Sequence, residues 1–80
     1  MQEKLPEKIV ASVVGQLFET RKRKKLSHEK VAQASKLHRS TISLMEAGKM
    51  QPTLLTLLKV SNALECDLSR LLARAEKENR

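Results

Sequence analysis

The chain has 80 residues, enough for one small domain, and its 16 lysines and arginines against 9 acids leave a net charge of +7. A hydrophobic content of 40% excludes a disordered tail, and a single cysteine excludes an internal disulfide framework. No apolar run is long enough to cross a membrane, and residues 1–20 lack the pattern of a secretory signal, so we expect a cytoplasmic protein.

The basic excess is concentrated in one segment. Residues 21–49 contain nine lysines or arginines and two acids, Glu29 and Glu46, whereas the remaining 51 residues are neutral in sum. Segregated positive charge is typical of a surface that binds a polyanion, of which nucleic acid is the leading candidate. Two alternatives stay open at this point: a solvated basic helix end, and an anionic membrane surface, which usually also requires bulky apolar residues.

The pattern of apolar residues predicts an all-α, compact five-helix domain without strands. Residues 1–5 are expected to be a flexible lead-in, residues 6–75 the domain, and the charged residues 76–80 a frayed end. Helix 1 is predicted from Pro6 to about Lys24, helix 2 over 28–35, helix 3 over 39–46, helix 4 from Pro52 and Thr53 to about Leu64, and helix 5 after the N-cap residue Asp67.

Helical spacing also predicts the core. Ser27 is expected to cap helix 2, and Gly48 stands where the end of helix 3 requires a positive φ. The residues predicted to face inward are Ile42 and Met45 in helix 3 and Leu54, Leu57, Val60, Ser61 and Leu64 in helix 4. The apolar band of helix 1 consists of Ile9, Val10, Val13, Val14, Leu17 and Phe18, the small packing residues of helix 2 are Val31, Ala32 and Ala34, and the apolar face of helix 5 consists of Leu68, Leu71, Leu72 and Ala75.

Helices 2 and 3 are short, are joined by a turn of three to four residues and lie beside the basic segment, an arrangement typical of a helix-turn-helix. Once Ile42 and Met45 face inward, helix 3 has one arginine, three hydroxyl residues and one leucine left for its other faces. Arginine can donate two hydrogen bonds to guanine, hydroxyls can bond to several bases, and leucine can touch a thymine methyl. These candidate base-reading residues are Arg39, Ser40, Thr41, Ser43 and Leu44.

Three stretches, RKRKKLSHEKVA, LHRSTISLMEAGKMQP and TLLTLLKVSNALECDLSRLL, resemble the lambda-repressor-like helix-turn-helix domains of the Cro and Xre type. The resemblance covers residues 21–72. It implies a buried ion pair between Arg21 and Glu46, base contacts from Arg39, Ser40 and Leu44, and base or phosphate contacts from Thr41 and Ser43. The residues that it places at the DNA backbone are Ser27, His28, Lys36, His38, Lys49 and Gln51.

The sequence departs from the family pattern at several positions. Lys25, Lys36 and Glu65 stand where the family usually has glycine, and a left-handed conformation at Lys36, in the turn, would cost about 1 kcal/mol. His38 replaces the usual Ser or Thr before helix 3, which predicts a weaker cap. Leu44 is apolar where a polar reader is commoner, so the departures concern the DNA sequence that is read rather than the fold.

A metal site and an active site are not expected. His28, His38 and Cys66 do not have the spacing of a zinc site, and Cys66 is better interpreted as a small buried hydrophobe. No nucleophile is paired with a base, and no glycine-rich phosphate loop is present. We therefore expect no cofactor and no enzymatic activity.

The chain has more apolar residues than one small core needs, which predicts a homodimer. The surplus residues are Leu55, Leu58, Leu72 and Ala75, with Ile9 and Val10 in helix 1. The alternative is that helices 1 and 5 simply cover each other.

The functional expectation is a sequence-specific, double-stranded DNA-binding transcriptional regulator that acts as a homodimer on an inverted-repeat operator. Chains of this length resemble phage Cro-like repressors and the controller proteins of restriction–modification systems. An antitoxin that binds a toxin and its own promoter, and a non-specific nucleic-acid binder, are the alternatives.

Overall fold

Five α-helices lie within residues 4–79, the part of the chain that this computed structural model describes. They are α1 (Leu5–Arg23), α2 (His28–Ser35), α3 (Arg39–Glu46), α4 (Leu54–Ala63) and α5 (Leu68–Glu78). The all-α five-helix prediction is confirmed, and the bounds of α2 and α3 are those expected from the sequence. No helix in residues 4–79 is long and apolar enough to cross a membrane.

The two ends of the domain differ from the prediction. Lys4 is the N-cap residue of α1 and Leu5 is helical, whereas the first three residues of the expected lead-in lie outside the described part of the chain. Glu76–Glu78, which were predicted to fray, belong to α5, and Arg80 of that segment lies outside the described residues. Glu78 accepts a hydrogen bond from Ser12 Oγ at 3.2 Å, which ties the end of α5 to α1.

Side chains cap the N-termini of α2 to α5. Ser27 Oγ accepts from the Lys30 amide at 3.1 Å, and Thr53 and Asp67 cap α4 and α5 in the same way. His38 caps α3, because its Nδ1 accepts from the Ser40 amide at 3.1 Å. Since the first amides of a helix have no partner within it, these caps define where each helix begins.

The helices α1 to α4 all end in the same local structure. A residue with φ between 56° and 72° follows each of them, namely Lys25, Lys36, Gly48 and Glu65. The next amide then bonds back to a carbonyl five residues earlier, as from Leu37 to Ala32 at 3.0 Å. This is the Schellman motif, in which the left-handed position favours glycine. The positive φ predicted for Gly48 is confirmed. At the ends of α1, α2 and α4 the left-handed residue is charged and carries the steric cost that glycine avoids.

The core lies where all five helices meet. It consists of Val13, Leu17, Phe18, Val31, Ala32, Ile42, Met45, Leu57, Val60, Leu64, Leu68 and Ala75. Two predicted packing residues are on the surface: Ala34 is exposed, and Leu54, the first residue of α4, is 64% exposed.

The structure also corrects the predicted dimer surface. Ala75 is 0% exposed, because α1 and α5 pack against each other along this stretch. Leu72 is half-buried and Ile9 packs against the core. Packing of α1 against α5 therefore accounts for the apolar residues Ile9, Leu72 and Ala75. Ala75 has no exposed surface with which to contact a second chain. Leu55 and Leu58 of α4 remain exposed.

Replacing Lys36 by glycine should stabilise the fold. We expect Lys36→Gly to raise the free energy of unfolding by about 0.5–1 kcal/mol, because glycine has no left-handed penalty, although it adds freedom to the unfolded chain. Urea denaturation at constant protein concentration measures the change. Lys49→Gly is the control, because Lys49 is not among the residues with positive φ and should gain nothing. An equal gain in both variants would contradict this account.

Candidate nucleic-acid interface

Helices α2 and α3 pack against each other and are joined by Lys36, Leu37 and His38. Lys36 reverses the chain through its left-handed conformation, and Leu37 then packs against the core. His38 ends the turn and caps α3. The turn is therefore held at both ends, which sets the angle at which α3 leaves α2.

Helix α3 has one buried and one exposed face. Ile42 and Met45 are buried and anchor the helix. The five candidate base-reading residues all lie outside this anchor, with Thr41 half-buried and the others exposed: Arg39, Ser40, Thr41, Ser43 and Leu44. The exposed face thus presents a forked cation, hydroxyl groups and one apolar side chain, which are the groups that can read base edges in a major groove.

Five of the six candidate backbone-contacting residues lie in the loops around α2 and α3, and the sixth, His28, begins α2. Ser27 is at the start of α2, Lys36 and His38 are in the turn, and Lys49 and Gln51 follow α3; all five are exposed. The hydroxyl oxygen of Ser27 accepts the cap bond, which leaves its O–H and the backbone amide as donors for a phosphate. These contacts stay predictions.

Arg21 and Glu46 are hydrogen-bonded to each other beneath this surface. Arg21 Nη2 lies 2.7 Å from Glu46 Oε1, and the two side chains are 15% and 21% exposed. Arg21 Nη1 also donates to the Leu26 carbonyl at 2.8 Å. One guanidinium therefore joins the end of α1, the loop before α2 and the end of α3.

His28 turns toward the same carboxylate, which the sequence did not indicate. Its Nε2 contacts Glu46 Oε2, and its ring packs edge-on to Phe18 with centroids 6.5 Å apart. With Nε2 occupied, a phosphate contact from this side chain would have to use Nδ1. No pattern in the sequence distinguishes an inward histidine here from an outward one, because the distinction depends on how α3 packs beneath α2.

The pKa of the Glu46 carboxyl lies below its ordinary value. Burial by itself raises this pKa, but the hydrogen bonds and positive charges of Arg21 and His28 outweigh burial and lower it. Glu46 therefore stays ionised down to lower pH in the folded protein than in the unfolded chain.

The basic run at residues 21–25 is not a uniform DNA-facing patch. Arg21 is used by Glu46, and Arg23 Nη2 donates to Thr20 Oγ1 at 3.0 Å. Lys24 Nζ donates to the Leu64 carbonyl at 2.8 Å and lies 3.7 Å from Glu65. Arg21 and Lys24 join α1 to neighbouring parts of the fold, whereas the bond of Arg23 lies within α1. The charge count therefore overstated the positive charge available to a polyanion.

No metal centre emerges from the described residues. Among residues 4–79, no three His, Cys, Asp or Glu side chains are grouped as a metal site would require. Cys66 is half-buried, and its Sγ lies 3.7 Å from the Leu64 carbonyl.

The fold and the exposed face of α3 define a helix-turn-helix DNA-binding domain. The helix-turn-helix family model HTH_3 matches residues 17–71, more than half of the chain. The protein therefore belongs to this family of Cro- and Xre-type DNA-binding domains, whose members are non-enzymatic regulators. No curated protein matches the chain at a significant level.

Removing the Glu46 charge should destabilise the domain in a pH-dependent way. We expect Glu46→Gln to lower the free energy of unfolding at neutral pH by about 1–3 kcal/mol, because Arg21 is left partly buried without a counter-charge. Because the folded pKa is lowered, this contribution is present above the ordinary value of 4.5 and is lost as the pH falls through the folded pKa.

Urea denaturation of both proteins at about pH 6 and about pH 3 measures the difference, which should shrink at the lower pH. Glu65→Gln is the control, because Glu65 is exposed and its contact with Lys24 is long. A difference that did not depend on pH would contradict an electrostatic role for Glu46.

Proposed function

We propose that the protein is a sequence-specific transcriptional regulator that binds an inverted-repeat operator as a homodimer, with α3 in the major groove. The observation that carries this proposal is the division of α3 into a buried anchor, Ile42 and Met45, and an exposed face with Arg39 at its first turn. In a helix-turn-helix the N-terminal residues of the second helix contact the bases. Arg39, Ser40 and Leu44 are the proposed principal readers, assisted by Thr41 and Ser43.

The remaining exposed cations would supply affinity that does not depend on sequence. Lys22, Lys25, Lys30, Lys36 and Lys49 are exposed in the segment that contains the helix-turn-helix. Cations that neutralise phosphates release counterions, so binding should weaken steeply as salt rises.

The proposed dimer surface is on α4 rather than on α5. Leu54 and Leu55 are more than 60% exposed and Leu58 is 47% exposed, and we call these three leucines the α4 apolar surface. A shallow groove lined by Leu58, Cys66 and Leu72 continues it toward α5. Contiguous exposed leucines in so small a protein favour a protein interface. A twofold dimer would place its two α3 helices about 34 Å apart, one turn of DNA.

The same surface supports a second candidate, an antitoxin whose α4 apolar surface binds a toxin. A controller protein of a restriction–modification system would instead use this surface for its own dimer. The mass in solution separates the two, because an antitoxin of this kind would remain a single chain without its toxin.

Selection of bound duplexes from a random DNA pool at about 150 mM salt tests the proposal, and an enriched inverted repeat is the expected result. Arg39→Ala should then weaken operator binding by about 1–3 kcal/mol at particular base pairs. Arg74→Ala is the matched control, because Arg74 and Arg39 are both 70% exposed and each has one acidic neighbour. Equal weakening on operator and scrambled DNA would contradict sequence-specific reading by Arg39.

Replacing Leu55 and Leu58 by lysine should convert a dimer into a monomer. We expect operator affinity to fall by about tenfold or more, because each half-site then binds alone. Sedimentation equilibrium measures the mass, and the double variant Ala11→Lys with Ala73→Lys adds the same two charges at exposed positions on α1 and α5. A wild-type mass of one chain would contradict the dimer.

A further inference from the structure

Glu29 is the acidic residue exposed in the basic segment. Residues 21–49 contain two acids, and Glu46 is held inward by Arg21 and His28. Glu29 lies in the first turn of α2 with its side chain 58% exposed. A carboxylate on a DNA-binding surface repels the phosphates and lowers the affinity for DNA. Glu29 therefore does not serve to strengthen binding, and its position suggests another role.

Glu29 faces the arginine that is proposed to read bases. Its Oε2 lies 3.9 Å from Arg39 Nη1, so the pair connects the start of α2 to the start of α3. Both side chains are more than half exposed. An exposed pair of this kind contributes little to stability, so its consequence should lie in how the guanidinium is oriented.

The geometry of a guanidinium allows it to serve two partners. Arginine has five N–H donors arranged in a plane, and a bidentate contact with guanine O6 and N7 uses only one edge of that plane. A carboxylate beside another edge restricts the side chain without blocking the contact with guanine. It also opposes rotation of the guanidinium toward phosphate, because that rotation leaves the carboxylate unpaired beside negative charge.

We infer that Glu29 is a specificity-determining positioning residue, which holds Arg39 toward the base edges and disfavours binding to the DNA backbone alone. The inference rests on the proposed function of Arg39. It predicts that Glu29 weakens non-specific binding more than operator binding, and so widens the difference between the two.

A purely structural role for Glu29 has a different consequence. Glu29 is the acid in the first turn of α2, where negative charge favours the helix dipole. Loss of that interaction would lower thermal stability and leave the ratio of operator to scrambled-DNA affinity unchanged. The ratio is therefore the readout that separates positioning from stability.

The experiment compares wild type, Glu29→Gln, Arg39→Ala and the double variant on the selected operator and on a scrambled duplex of equal length. Glu29→Gln should reduce the affinity ratio by about threefold to tenfold, mainly through tighter binding to scrambled DNA. In the Arg39→Ala background the same change should leave the ratio unaltered, because Glu29 acts through Arg39. Glu76→Gln on α5 is the control for net charge, because Glu76 is also exposed.

The outcomes separate the two proposals. If wild type enriches no DNA sequence, the proposed function fails and this inference fails with it. If an operator is enriched but Glu29→Gln changes both affinities by the same factor as Glu76→Gln, only the role of Glu29 is overturned. A reduction of the ratio that persists without Arg39 also overturns it, because the effect would then not pass through the arginine.

Discussion

The hydrogen-bonded ion pair of Arg21 and Glu46 is the interaction on which the rest of this small fold depends. Arg21 leaves the end of α1, bonds to the Leu26 carbonyl and reaches Glu46 at the end of α3, where His28 of α2 meets the same carboxylate. Three helices are therefore joined by one carboxylate. Partly buried charges are stable only when they are paired, so the same cluster that orients the helix-turn-helix is costly to break.

Local backbone geometry complements this cluster. Four successive helices end in a left-handed residue, and three of these residues are charged rather than glycine. The fold tolerates that cost because each of the three charged reversals places the following residue against the core, namely Leu26, Leu37 and Cys66. Tight reversals of this kind let a chain of 80 residues close a five-helix core with short loops.

The cations differ in whether they bond to groups of the protein itself. Arg23 and Lys24 bond to groups within the protein, whereas Lys36 and Lys49 stay exposed beside α3. Apolar residues differ in burial, because Ala75 completes the core and Leu55 remains on the surface of α4. The polar face of α3 and the leucines of α4 are thereby left exposed.

The sequence by itself determined the features that depend on neighbouring residues. The caps at Ser27 and Asp67, the reversal at Gly48 and the inward spacing of Ile42 and Met45 were all predictable, because helix ends and helix faces are set within a few residues. The tertiary structure alone decided the inward turn of His28, the contact of Glu29 with Arg39, the exposure of Leu54 and the burial of Ala75. These features depend on how whole helices pack, and packing joins residues whose separation along the chain carries no local signal.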